Sequence, residues 1–242
     1  AGASSATVSA VGITAEIRHL TIANSGGSSE SIGVYTNGVT NGSFSISNVT
    51  ATATGSVITY GVYNDSSSPS MDNVTAIGSD GTNNHGVYNT GALSSPSMNN
   101  VTATATGGTN NSGVHNVGSS SPSMNNLTAT GSGGTNNHGV HVLGASTSMT
   151  NGTATGSGTS SNFGSANYRS LTIQNSSITG SGTSSVGSLN TGTSLTIQNS
   201  SITGKTSIDS RNGPTRVVFT VVDGPVNGRS GSSGIVCVEV YD

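Results

Sequence analysis

A chain of 242 residues with only 30% hydrophobic positions is too poor in apolar side chains for an ordinary layered domain. With 6% charged residues and a net charge of −3, it also lacks the self-repulsion that keeps low-hydrophobicity chains disordered. Six scattered basic residues exclude a nucleic-acid patch, and no apolar run reaches the length of a membrane helix, so neither nucleic acid nor membrane insertion is expected.

The excess lies in Gly, Ser, Thr and Asn. Threonine favours extended backbone, while glycine and asparagine tolerate the positive φ of tight turns, so the composition reads as many short strands joined by tight turns. The single cysteine, Cys237, excludes an intramolecular disulfide framework, and no Cys/His spacing matches a structural zinc site. No metal or cofactor is expected. The chain opens at Ala1 without a charged and apolar leader, as a processed product would.

In chain order, ATVSAVG and ITAEIRHLTIAN read as a coil already in progress. A unit then recurs: GVYN, a Ser-rich turn, SPSMNN, VTATG and GGTNN. Its best anchor is an asparagine, at Asn24, Asn48, Asn73, Asn100, Asn126, Asn151, Asn175 and Asn199, with intervals of 24 to 27 residues. Two positions before the anchor stand Ile22, Ile46, Met71, Met98, Met124, Met149, Ile173 and Ile197, a column that holds all four methionines. Four positions before it stand Leu20, Phe44, Pro69, Pro96, Pro122, Thr147, Leu171 and Leu195. This period-two pattern predicts a strand with that side facing an interior.

After the anchor, VTATG places Val and Ala inward and hydroxyls outward. The outward rows pair Thr50 with Thr52, Thr102 with Thr104, Thr128 with Thr130 and Thr153 with Thr155; Ile77 interrupts the array. A third strand puts Val34, Val62, Val87, Val114 and Val140 inside, with Tyr35, Tyr63, Tyr88, His115 and His141 as an outward ladder of rings. One coil has too little apolar surface to fold, but stacking at the strand spacing turns each column into a continuous spine, about 40 Å long for eight or nine coils. The expected fold is therefore all-β, a parallel β-solenoid of about 8–9 coils of about 25 residues over 1–204. Residues 205–242, where TRVVFTVVDG and GIVCVEVYD carry no asparagine anchor, are expected to form a C-terminal β cap.

The pattern over roughly residues 11–242 resembles the right-handed parallel β-helix superfamily, to which pectate lyases and phage tailspikes belong. It is most similar to secreted bacterial repeat proteins with SPxMxN, VTATG, GGTNN and GVYN units. The resemblance implies a right-handed coil, a secreted, extracellular or cell-surface location of bacterial type, and an internal asparagine ladder formed by the eight anchors.

Candidate chemistry is sparse. Glycoside cleavage needs converging carboxylates, and Asp65, Asp72 and Asp80 fall in three different parts of one coil, so no enzyme is expected. His115, His141 and nearby His138 lack the further ligands of a metal site. Exposed tyrosine and histidine columns can stack on sugar rings, which makes glycans candidate partners and adhesion a candidate role. The Thr rows are similar to the ice-binding faces of β-solenoid antifreeze proteins. Among the N-x-S/T sequons, those at Asn48, Asn73, Asn100 and Asn126 read as by-products of the repeat, whereas Asn41, Asn64 and Asn110 lie in or beside turns and can carry a glycan. The leading expectation is a secreted structural or surface solenoid that associates end to end into filaments, with residues 1–12 and the stretch after Lys205 at the junction.

Overall fold

The computed structural model describes residues 5–40, 42–92, 94–228 and 235–241, with side chains through residue 228. Among these residues there are 24 strands and no helix, and the strands pair in parallel from coil to coil. They form about eight turns of a β-solenoid. In one turn, Ser97–Asn99, Thr102–Thr106 and Asn110–Val117 lie in register beneath Ser123–Asn125, Thr128–Ser132 and Asn136–Leu143 of the next. Some corners are smooth enough that two strands run together, as in Phe44–Thr54 and Thr153–Asn167.

The first-strand column forms the expected apolar spine. Met71, Met98, Met124 and Met149 stack in register between Ile46 and Ile173, each almost fully buried. Removing such a side chain from water contributes roughly 1.5–3 kcal/mol, a gain that only neighbouring coils can supply. Val49, Val74, Ala76 and Ala103 close the core from the second strand, and Val62, Val87 and Val114 from the third.

The anchor asparagines are not an interior ladder. Asn48, Asn73, Asn100, Asn126, Asn151, Asn175 and Asn199 are exposed, with φ between 48° and 54°, at the corner between the first and second strands. That corner needs a left-handed residue, and asparagine is among the few non-glycine residues that adopt this conformation readily. The side chains bond along the outside: Asn73 donates to Asn48 at 3.3 Å and Asn126 to Asn100 at 3.1 Å. Asn24 is not on this corner at all. His19, with φ 53°, takes it, and Asn24 lies opposite Ala53, donating to the carbonyls of Ser5 and Ile32. Ile17 rather than Ile22 therefore heads the methionine column, and Leu20 is exposed.

The interior ladders are built from other asparagines. Asn64, Asn89 and Asn116 form one, with amide-to-amide bonds of 2.8 and 2.7 Å, and Asn84, Asn111, Asn137 and Asn162 form a second at 2.8, 2.9 and 2.7 Å. Asn111 is fully used. Its oxygen accepts from Asn84 and from the Gly108 amide, and its nitrogen donates to Asn137 and to the Gly108 carbonyl. Each rung of this second ladder thus closes a turn and ties two coils together, while Asn64, Asn89 and Asn116 link coils through side chains alone.

The stretch from Lys205 stacks as further coil in its described part. Thr215–Asp223 lies in parallel register on Ser194–Gln198 and Ser201–Thr203, and Ile235–Tyr241 lies on it in turn. Phe219, at φ 46°, replaces asparagine at the corner after Asn199, which is why the sequence repeat fades there while the geometry continues. The side chain of Cys237 is outside the described residues.

Replacing Asn111 with Ala leaves buried turn groups unpaired and is expected to cost about 1–3 kcal/mol. Asn100→Gly keeps the left-handed corner and should cost far less, while Asn100→Ala should lose about 1–2 kcal/mol. Urea unfolding of the three variants checks this; equal losses in Asn111→Ala and Asn100→Gly would return the anchor to the interior.

Candidate functional site

The third strands do not alternate regularly. Val62 points into the core, as the sequence pattern requires, yet Tyr60 and Tyr63 both project outward and touch, with ring centroids 4.8 Å apart. Gly61, between them, is skipped in the parallel pairing, and so is Gly86 of the next coil. A Cβ on Gly86 would lie 2.6 Å from the Thr104 amide nitrogen and 2.7 Å from the Gly113 carbonyl oxygen. Glycine lets the third strand press against the backbone of the second and bend there. The bend brings two outward columns of rings side by side.

One column runs Tyr35, Tyr63, Tyr88, His115, His141 and Tyr168, with centroid steps of 5.2, 5.3, 5.2, 4.5 and 5.6 Å. The other holds Tyr60 stacked on His85, and His138 against Phe163, with Ser112 between the two pairs. From Tyr60 and Tyr88 to Phe163 and Tyr168 these rings line a groove of about 630 Å³, while Tyr35 and Tyr63, packed against Tyr60 and Tyr88 through Tyr63, line a second hollow of about 500 Å³ beside Ala6 and Glu30. Along one rim, Asn83, Asn110 and Asn136 bond amide to amide at 2.7 Å.

The groove is electrically quiet at neutral pH. Burial holds His85 at about 3 and His141 at about 4, and lowers His115 and His138 well below the usual imidazole range, so all four are uncharged. Burial likewise raises Tyr35, Tyr60, Tyr63 and Tyr88. His85 and His138 bury Nδ1 without a protein partner, as His115 does both ring nitrogens. The tautomer with the proton on Nε2 avoids burying an unpaired N–H, so His85 and His138 turn a neutral donor outward. Asp65 stands at the Tyr35 end, accepting from the Tyr35 hydroxyl at 3.3 Å and from Asn37 at 2.9 Å.

The remaining sequence candidates are dispersed. Thr50 and Thr52, Thr102 and Thr104, Thr128 and Thr130, and Thr153 and Thr155 point outward in register on the second-strand face. A third hydroxyl column, with Thr54, Ser79, Thr106, Ser132, Ser157 and Ser181, lies beside them. Asp72 pairs with Asn99 and Asn100 at the outer corner, Asp80 bonds Ser79 in a turn, and no hydrogen bond joins either to Asp65. Of the turn sequons, Asn64 is fully buried and cannot carry a glycan, Asn110 is held in the rim ladder, and Asn41 is outside the described residues. Among the described residues no three His, Cys, Asp or Glu side chains are placed to share a metal ion.

Sequence reasoning found the outer ring column and missed Tyr60, His85, Phe163 and Tyr168. A strict two-residue alternation assigns Tyr60 and His85 to the same side as Tyr63 and Tyr88 only if the glycine between them breaks the period. The ring directly before the GVY or GVH glycine in three of the five units, Tyr60, His85 and His138, was the available signal; Ile32 and Ser112 hold that place in the other two. Fold and groove together define a class, a parallel β-solenoid with a ring-lined concave face. No protein-family model matches the chain, and no curated protein matches it either.

The depressed histidines make stability depend on pH. The unfolded chain binds protons below its imidazole value of about 6.5, while folded His85 and His138 refuse them. Stability is therefore full above pH 6.5 and falls as the pH drops towards 4, with a limiting slope of about 1.4 kcal/mol per pH unit per histidine. Denaturant unfolding between pH 7.5 and 4 measures the slope, and the double variant His85→Gln with His138→Gln should reduce it by about half, because His115 and His141 remain depressed. A wild-type stability that does not change over that range would contradict neutral burial.

Proposed function

We propose that this chain is a non-catalytic, secreted surface protein of the right-handed parallel β-helix superfamily, related to the bacterial repeat proteins it resembles, and that its groove binds carbohydrate. The observation that carries this reading is the double column of rings along a concave face. Aromatic rings offer apolar platforms to the C–H faces of sugars, while the Asn83–Asn110–Asn136 rim keeps spare amide donors and acceptors for hydroxyls. The separation of Asp65, Asp72 and Asp80 supports binding without cleavage. Affinity electrophoresis against a polysaccharide panel is expected to show retardation that drops at least tenfold in Tyr63→Ala and Tyr88→Ala. Thr104→Tyr, on the second-strand face, should bind as wild type does. Ring variants with unaltered binding, in a fold verified by circular dichroism, would remove the groove from the reading.

End-to-end self-association is the second reading, favoured by the strands of the first turn. Among the described residues, Ser5–Val11 pairs only with Glu30–Asn37, and Ala15–Arg18 only with Phe44–Thr54, leaving one edge without a neighbour beside exposed Val11, Ile13 and Leu20. Such an edge is a template for another parallel strand, here one offered by the stretch after Lys205 of a second copy. Light scattering should show assemblies that disappear when residues 1–12, of which 1–4 are outside the described residues, are deleted. A wild-type chain that stays monomeric at high concentration would end this reading.

A further inference from the structure

We propose that the groove selects uncharged, linear glycans lying along the solenoid axis and rejects polyanionic ones, a refinement that rests on the carbohydrate-binding reading above. The direction follows from the rings. Tyr35, Tyr63, Tyr88, His115, His141 and Tyr168 advance one coil at a time in five steps of 4.5–5.6 Å, so the platform is a narrow strip along the axis, on the order of 25 Å long at the strand spacing. An extended chain several sugars long covers that strip, whereas a single sugar touches only one or two coils of it.

The charge preference follows from what lines the groove. Among the described residues bordering the two hollows there is no lysine or arginine, and the histidines between Tyr88 and Phe163 are sunk among rings. The charged groups at the groove are Asp65, beside Tyr35, and Glu30, at the lip of the second hollow, and both are acids. A carboxylate or sulfate on each sugar would lose hydration against aromatic faces with no cation to replace it, next to like charges. Hydroxyls meet groups that both donate and accept: the spare amide valences of the Asn83–Asn110–Asn136 rim and the outward nitrogens of His85 and His138.

The test compares one backbone with and without charge. At pH 7, hydroxyethylcellulose should retard the protein in affinity electrophoresis at least tenfold more strongly than carboxymethylcellulose. Titration calorimetry with neutral β-1,4-linked oligosaccharides should show affinity rising from the disaccharide to the hexasaccharide. Equal or stronger binding of the carboxymethyl polymer would overturn the charge selectivity and leave carbohydrate binding standing. An affinity independent of oligosaccharide length would overturn the axial placement. Failure of every neutral and acidic polysaccharide to bind would sink both this proposal and the reading beneath it.

Discussion

Parallel, in-register stacking places each residue directly above its counterpart in the next coil, at the roughly 4.8 Å spacing of hydrogen-bonded strands. Every column must therefore be made of side chains that tolerate close contact with their own kind. Methionine, valine and alanine do so by packing, and threonine does so on the outside. Asparagine does so by bonding amide to amide, each rung donating to one neighbour and accepting from the other, as along Asn84, Asn111, Asn137 and Asn162. Charge cannot repeat in this way, because like charges at that distance repel. The scarcity of charged residues is thus a requirement of the architecture, and acids occur singly in columns completed by neutral partners, as Asp72 does beside Asn99 and Asn125.

The same constraint shapes the groove. His115 stacked on His141 at 4.5 Å is compatible with the fold only while both rings are neutral, and the burial that keeps them neutral also strips the groove of cations. Histidine here behaves as an aromatic ring with two polar atoms. The concavity depends on the glycine column that lets the third strand rest on the second. That contact places Tyr60 beside Tyr63, and His138 beside His141 at 4.2 Å.

Corner and ladder asparagines are chemically identical but do different work. At Asn100 the backbone needs a left-handed residue and the side chain is left in solvent; at Asn111 the backbone is an ordinary strand and the side chain closes a buried turn. Corners tolerate substitution, by His19 at one end and Phe219 at the other, because a turn can be held by several residues under pressure from the strands beside it. Some buried rungs are replaced by residues that preserve hydrogen bonding, such as Thr59 donating to Asn84 at 2.7 Å and Ser210 in register with Asn190, whereas Val142 breaks the ladder above Asn116 with an aliphatic side chain.

By itself the sequence determined the coil period, the parallel stacking, the methionine spine, the inward valines and the outer ring ladder, because each depends on local alternation repeated at a constant interval. It did not determine which asparagines are buried, since a recurring residue marks a recurring environment without saying which side of the backbone its side chain takes. Nor did it reveal where the period breaks. Counting by twos passes through Gly61 and Gly86, and only the packing of one strand's backbone against another's turns Tyr60 and His85 outward. The first coil was misaligned for a related reason: its turns are longer, so the chain-wide interval landed on Asn24 while coil-to-coil hydrogen bonding placed His19 at the corner. The groove, and the neutrality of the histidines within it, were decided by tertiary structure, because both arise from burial between columns that are neighbours in space and not in sequence.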